Sequence, residues 1–159
     1  NGRGQGYQPP AGEAVIKLPE GVSFAALDSA EATWPQAEYR TKDLRFRGYA
    51  LDKHQRPTFK YERGDVAIED TPEPVAAADE DSFGQIKRIL KLKAKKAPGN
   101  LYLRIAQGDF EEKGGSFRDS ELIVTVKGGK AFSKDGELRV PVTFKNGSAQ
   151  LEVTYSWAN

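Results

Sequence analysis

Neither cysteine nor methionine occurs in the 159 residues, and His54 is the sole histidine. Without thiols the chain makes no disulfide, thiolate nucleophile, Cys-ligated zinc site or C-x-x-C-H haem attachment of its own. One histidine supplies neither paired axial haem ligands nor a multi-histidine metal centre, so no cofactor or metal is expected within this chain. Nucleophilic catalysis asks for a base beside its nucleophile. His54 instead falls in a turn among Asp52, Lys53 and Arg56, the setting of a solvated side chain. Long apolar runs are missing as well. No segment approaches the ~20 residues of a membrane-spanning helix, and the start NGRGQGYQPP lacks the apolar centre of a signal peptide, so membrane insertion is not expected. Neither charge sign is in surplus, with 24 Lys+Arg against 23 Asp+Glu. That balance leaves no global field to gather nucleic acid. The missing methionine, a starting one included, is expected of a piece trimmed from a longer product.

What is present is enough for one core. An apolar content of 38% over 159 residues fits a single domain. Residues 1–12, with four glycines and two prolines, read as a flexible linker, which leaves 13–159 as the domain. Two short strands joined by Pro19-Glu20-Gly21 are expected at Ala14–Leu18 and Val22–Leu27. Residues 28–43 read as irregular, with Trp34 plugging the core edge before Pro35.

From Leu44 onward the hydrophobic residues keep a two-residue beat broken by glycine, proline or acidic turns. Strict alternation over 44–51 puts Leu44, Phe46 and Ala50 on one face and Arg45, Arg47 and Tyr49 on the other, with Gly48 marking a bulge or a close approach. Gly64-Asp65 suits a two-residue hairpin loop that sets Arg63 opposite Val66, Tyr61 opposite Ile68 and Lys60 opposite Glu69. Residues 71–84, with two prolines and a run of acids, read as a surface excursion. Further half-buried strands follow at Ile86–Lys93, Leu101–Ile105 and Leu122–Val126. At the C-terminus, folding about Asn146-Gly147 opposes Phe144 with Ala149, Val142 with Leu151, Val140 with Val153 and Leu138 with Tyr155. A slip of one residue would scatter these side chains over both faces. Because Pro141 has no N–H, a four-residue loop, Lys145 to Ser148, and an edge position for the Pro141 strand are preferred. No stretch of ten or more residues shows a 3.6-residue period. The expected fold is all-β, a two-layer antiparallel β-sandwich of about nine strands with little helix.

Chemistry is sparse on this pattern, and no catalytic residue is assigned. Asp79-Glu80-Asp81 lacks the glycine and spaced ligands of an EF-hand loop. Gly114-Gly115 and Gly128-Gly129 lack the strand-to-helix setting of a phosphate loop and read as turns. The leading reading is a non-catalytic interaction or scaffolding sandwich that positions neighbouring domains of the same polypeptide. A second is a carbohydrate-binding module. There Tyr49, Tyr61 and Tyr102 offer rings for stacking, and Lys91, Lys93 and Arg104 offer charge to a polysaccharide. Alternating lysines also protect a solvent-facing strand from aggregation. A third reading is a sandwich-fold glycoside-active enzyme using two acids such as Glu69 and Asp109.

A family resemblance rests on Leu18-Pro19-Glu20-Gly21, Trp34-Pro35, Phe46-Arg47-Gly48-Tyr49-Ala50-Leu51-Asp52, Arg56-Pro57-Thr58-Phe59, Gly64-Asp65-Val66 and Glu69-Asp70. Together with Val140-Pro141-Val142 and Tyr155-Ser156-Trp157, these span about residues 15–157. The chain resembles an accessory β-domain of large extracytoplasmic bacterial proteins that also carry c-type cytochrome and sugar-dehydrogenase-like propeller domains. The resemblance implies a periplasmic or extracellular setting, with haem and catalysis in other domains. It transfers no catalytic residue to this chain.

Overall fold

Alternating side chains produce twelve strands and no helix in the computed structural model, which describes residues 15–36, 44–80 and 82–158. The small sheet has the order β1 (Phe24–Ala26), β6 (Leu101–Gln107), β11 (Glu137–Pro141), β10 (Phe132–Lys134). The large sheet has eight strands. Its order is β2 (Leu44–Leu51), β3 (Pro57–Arg63), β4 (Val66–Val75), β5 (Gln85–Ala94), β12 (Ser148–Trp157), β9 (Leu122–Lys127), β8 (Ser116–Arg118), β7 (Glu111–Lys113). All pairings are antiparallel, so the expected sandwich is the architecture found. The strand count exceeds the expected nine because three-residue strands such as β7, β8 and β10 are too short to show a period.

β12 joins two meanders, pairing with β5 on one side and β9 on the other. Its Leu151, Val153 and Tyr155 face Leu103, Ile105, Leu138 and Val140 of the small sheet within one buried layer. Two-residue loops close the β3–β4, β7–β8 and β10–β11 hairpins. Gly64 sits at φ 54° before Asp65, and the hairpin registers Arg63–Val66, Tyr61–Ile68 and Lys60–Glu69 are those expected.

The C-terminal register is corrected. Leu138, Val140, Leu151 and Val153 are fully buried as anticipated. β11, however, pairs with β6 and β10 in the small sheet, while β12 belongs to the large one. Only Lys145 and Ser148 bridge the two arms, around a two-residue turn in which Asn146 and Gly147 both have positive φ. Such a turn is type I′ rather than the four-residue loop. Apolar alternation demands a shared buried layer, and facing across the sandwich satisfies that demand as well as lying side by side. β11 is not the edge strand expected, since it lies between β6 and β10, but Pro141 ends it, past the stretch paired with β10.

Two further expectations are corrected. Residues 15–18 form no strand, and Ala14 lies outside the described residues, as do 37–43 of the irregular stretch. Residues 71–75 are not an excursion, because β4 continues to Val75 in register with Gln85. Pro72 and Pro74 lie beyond Phe59–Asp70, the last β3–β4 pair, so their missing N–H groups cost no bond to β3.

Candidate functional site

Among the described residues the large sheet has twice as many strands as the small one, and the face that is buried along its middle becomes exposed toward its β2 end. Buried residues mark the covered part, from Val66 and Ile68 on β4 through Leu90, Leu92, Val153 and Val124 to Phe117 on β8. On β3 the same face carries half-buried Phe59 and Tyr61, and on β2 it carries Phe46, Tyr49 and Leu51 at 58, 62 and 49% exposure. A bulge makes this alignment. Phe46 pairs with Tyr61 and Tyr49 with Phe59, so Arg47 is an extra residue and Gly48 takes φ 105°. The extra residue shifts the alternation by one. Tyr49 therefore joins the face of Phe46 instead of the face of Arg45, which corrects the strict two-residue reading. Ring centroids lie 5.4 Å apart in the Phe46–Tyr61 pair and 6.4 Å apart in the Tyr49–Phe59 pair, both tilted. Such cross-strand aromatic pairs stabilise a sheet by roughly 0.2–1 kcal/mol each.

Beside this shelf runs a groove of about 270 Å³, walled by Leu18, Phe59, Tyr61, Pro72 and Ile86. Its floor is ionic. Arg88 donates from Nη2 to Asp70 Oδ2 at 2.5 Å and from Nε to Oδ1 at 3.3 Å. Arg88 Nη1 donates to the Tyr155 hydroxyl at 3.2 Å, which in turn donates to the Ile105 carbonyl at 2.7 Å. Ile105 is the extra residue of a second bulge, between the pairs Arg104–Arg139 and Ala106–Leu138. Burial works against the Arg88 charge, but Tyr155 and Asp70 hold it, leaving its pKa above the ordinary arginine value. Burial also raises the Tyr155 and Tyr61 phenols. The pair is spent on itself, and no second carboxylate joins Asp70 among the groove's lining residues. The groove thus offers apolar contact and shape above an ion pair whose members bind each other.

The six residues proposed from sequence lie on three faces. Tyr49 and Tyr61 share the shelf. Lys91 and Lys93 alternate with buried Leu90 and Leu92 and project from the outer face of the large sheet. Tyr102 and Arg104 alternate with Leu101, Leu103 and Ile105 and project from the outer face of the small sheet. There Trp34 sits on the sheet, with Arg104 and Arg139 guanidinium carbons 5.2 and 5.4 Å from its ring centroid. Glu137 accepts from Arg104 Nη1 at 2.7 Å and from Arg139 Nε at 3.2 Å. Arg139 Nη1 also donates to the carbonyls of Ala30 and Ala32, Arg104 Nη2 to that of Glu20, and Trp34 Nε1 to that of Val22. These contacts fasten residues 20–34 over the small sheet. Trp34 is buried as expected, but in its own cluster with Ala25 and Leu27 rather than at the edge of the main core. Tyr102 packs edge-on against Phe132 at 6.3 Å and is half-buried.

Glu69 points outward from β4 opposite Lys91, and Asp109 is exposed after β6. His54 is exposed in its turn, where Asp52 Oδ1 accepts the backbone N–H groups of Arg56 at 2.9 Å and His54 at 2.7 Å. Those bonds, that from Arg56 first, lower the Asp52 pKa. Among the described residues no group of three or more His, Cys, Asp or Glu could hold a metal ion. No helix among them is long and apolar enough to cross a membrane.

A second cleft, of about 360 Å³, was not foreseen. Phe83 stands 6.0 Å from Trp157 there, beside Ser82, Gln85 and Ser156. The sequence pattern marks neither ring as a binding residue, since Phe83 falls in an irregular stretch and Trp157 at a strand end. Comparison with family models, curated proteins and solved structures finds no match to the chain.

Proposed function

We propose that this domain is a non-catalytic interaction module whose recognition surface is the aromatic shelf and groove on the uncovered β2–β3 end of the large sheet. The observation that carries this reading is the exposure of Phe46, Tyr49 and Leu51 together on one face, next to an apolar groove. Contiguous exposed apolar surface of this kind marks protein interaction sites, and aromatic anchors dominate their energetics. The resemblance to accessory domains of extracytoplasmic redox proteins supports a neighbouring domain of the same polypeptide as the occupant. In the test, peptides are selected on the domain from a random display library. Tyr61→Ala or Phe59→Ala is expected to weaken the selected binders by about tenfold or more, whereas Lys91→Ala leaves them unchanged. Binders that respond to Lys91→Ala and ignore Tyr61→Ala would contradict the proposal.

A carbohydrate-binding role is favoured by a different observation, the Phe83–Trp157 cleft, which sets rings beside an amide and hydroxyls. Sugars are held by that combination of stacking and hydrogen bonding. Titration against a glycan panel tests it, with binding expected to vanish in Phe83→Ala. A glycan that binds equally to wild type and Phe83→Ala excludes this cleft as the site.

A further inference from the structure

Sheet edges record where a fold guards against added strands. Among the described residues the two sheets end in β1, β10, β7 and β2, and three of these are three residues long. β2 runs for eight residues and, among the described residues, pairs with β3 alone. Very short edge strands deter pairing with other chains, whereas a long edge bearing apolar side chains is a template for it. The β2 bulge, a device that elsewhere spoils an edge, here gathers Tyr49 and Phe46 onto one exposed face.

Charge selects the occupant. Residues 44–63 hold six lysines and arginines against two acids, in a chain of net charge +1. Arg45 is exposed along the edge, and Arg47, at the bulge, holds Glu62 at 2.8 Å. A second copy of β2 laid on this edge would set one basic hairpin against another, which like-charge repulsion disfavours. An acidic strand meets the opposite sign.

Building on the reading of this region as a recognition surface, we propose that β2 accepts an extended acidic–apolar segment of the neighbouring domain as an added strand of the large sheet. The segment's main chain pairs with the outer edge of β2. Its apolar side chains, at every second position, continue the shelf past Phe46 and Tyr49. Its acidic side chains fall on the opposite face, beside Arg45.

The test takes peptides on the order of 12 residues, selected on the whole domain, and N-methylates their amides one at a time. Only alternate N–H groups of an added strand face its neighbour. A loss of about tenfold is therefore expected at every second position and little between. Selected sequences are expected to alternate apolar with Asp or Glu, and Arg45→Glu with Arg47→Glu should weaken them and flatten their salt dependence. Loss without that period, selected peptides lacking acids, or a domain already dimeric in sedimentation would overturn the proposal. If binding then still falls in Tyr61→Ala, the recognition surface stands and strand addition alone is lost. If no peptide is selected, or only an oligonucleotide binds, both are lost.

Discussion

Asp70, Arg88 and Tyr155 form one buried chain of hydrogen bonds, and each depends on the others for its partner. Removing one member of a buried ion pair leaves an uncompensated charge, at a cost of about 3–5 kcal/mol. Asp70→Ala is therefore expected to lose stability of that order in urea unfolding, with Arg88 left facing the groove. Tyr155→Phe strips a partner from Arg88 and from the Ile105 carbonyl and should cost about 1–3 kcal/mol. The same residue sets a pH dependence. Burial raises the Tyr155 phenol above its ordinary value of 10.0. Above that pH the unfolded chain binds fewer protons than the folded one, so stability falls as pH rises. Unfolding free energy is expected to be insensitive to this group below pH 10.0 and to decline above it. The decline should be steeper in wild type than in Tyr155→Phe. Equal slopes would remove Tyr155 from the account. None of this cluster was legible in the sequence, because its three members come from β4, β5 and β12 and only the fold brings them together.

At the scale of the element, close approach and alternation decide most outcomes. Gly128 has φ 89°, and a Cβ there would stand 2.2 Å from the Gln150 carbonyl oxygen. Gly128→Ala is expected to destabilise by more than about 1 kcal/mol, read as a lower midpoint in urea. Reading the glycine pair as a turn was right about the bend, but a one-dimensional pattern does not show the backbone of β12 passing beside it. The hairpin at Gly64-Asp65 was legible down to its residue pairs, since a tight loop fixes register locally. The β11–β12 hairpin was not, because burial of Leu138, Val140, Leu151 and Val153 is met equally by two sheets facing each other. Strict alternation puts Tyr49 on the wrong face for a related reason. One inserted residue at Arg47 reverses the alternation, and Gly48 signals that something happens there without saying which way the strand turns.

At the scale of the molecule, the described residues form a sandwich of unequal layers, eight strands over four. Residue alternation predicts that two layers exist but not how far one overhangs the other, which is why the shelf became visible only in the fold. Its central property is that the β2 edge carries no strand on its outer side among the described residues. Amide hydrogen exchange tests this most directly, comparing β2 with β12 in the unbound domain and again with a selected peptide. The expected result is fast exchange along the outer edge of β2, strong protection in β12, and new protection of β2 alone once the peptide is present. Protection of the β2 edge equal to that of β12 before any peptide is added would contradict the account.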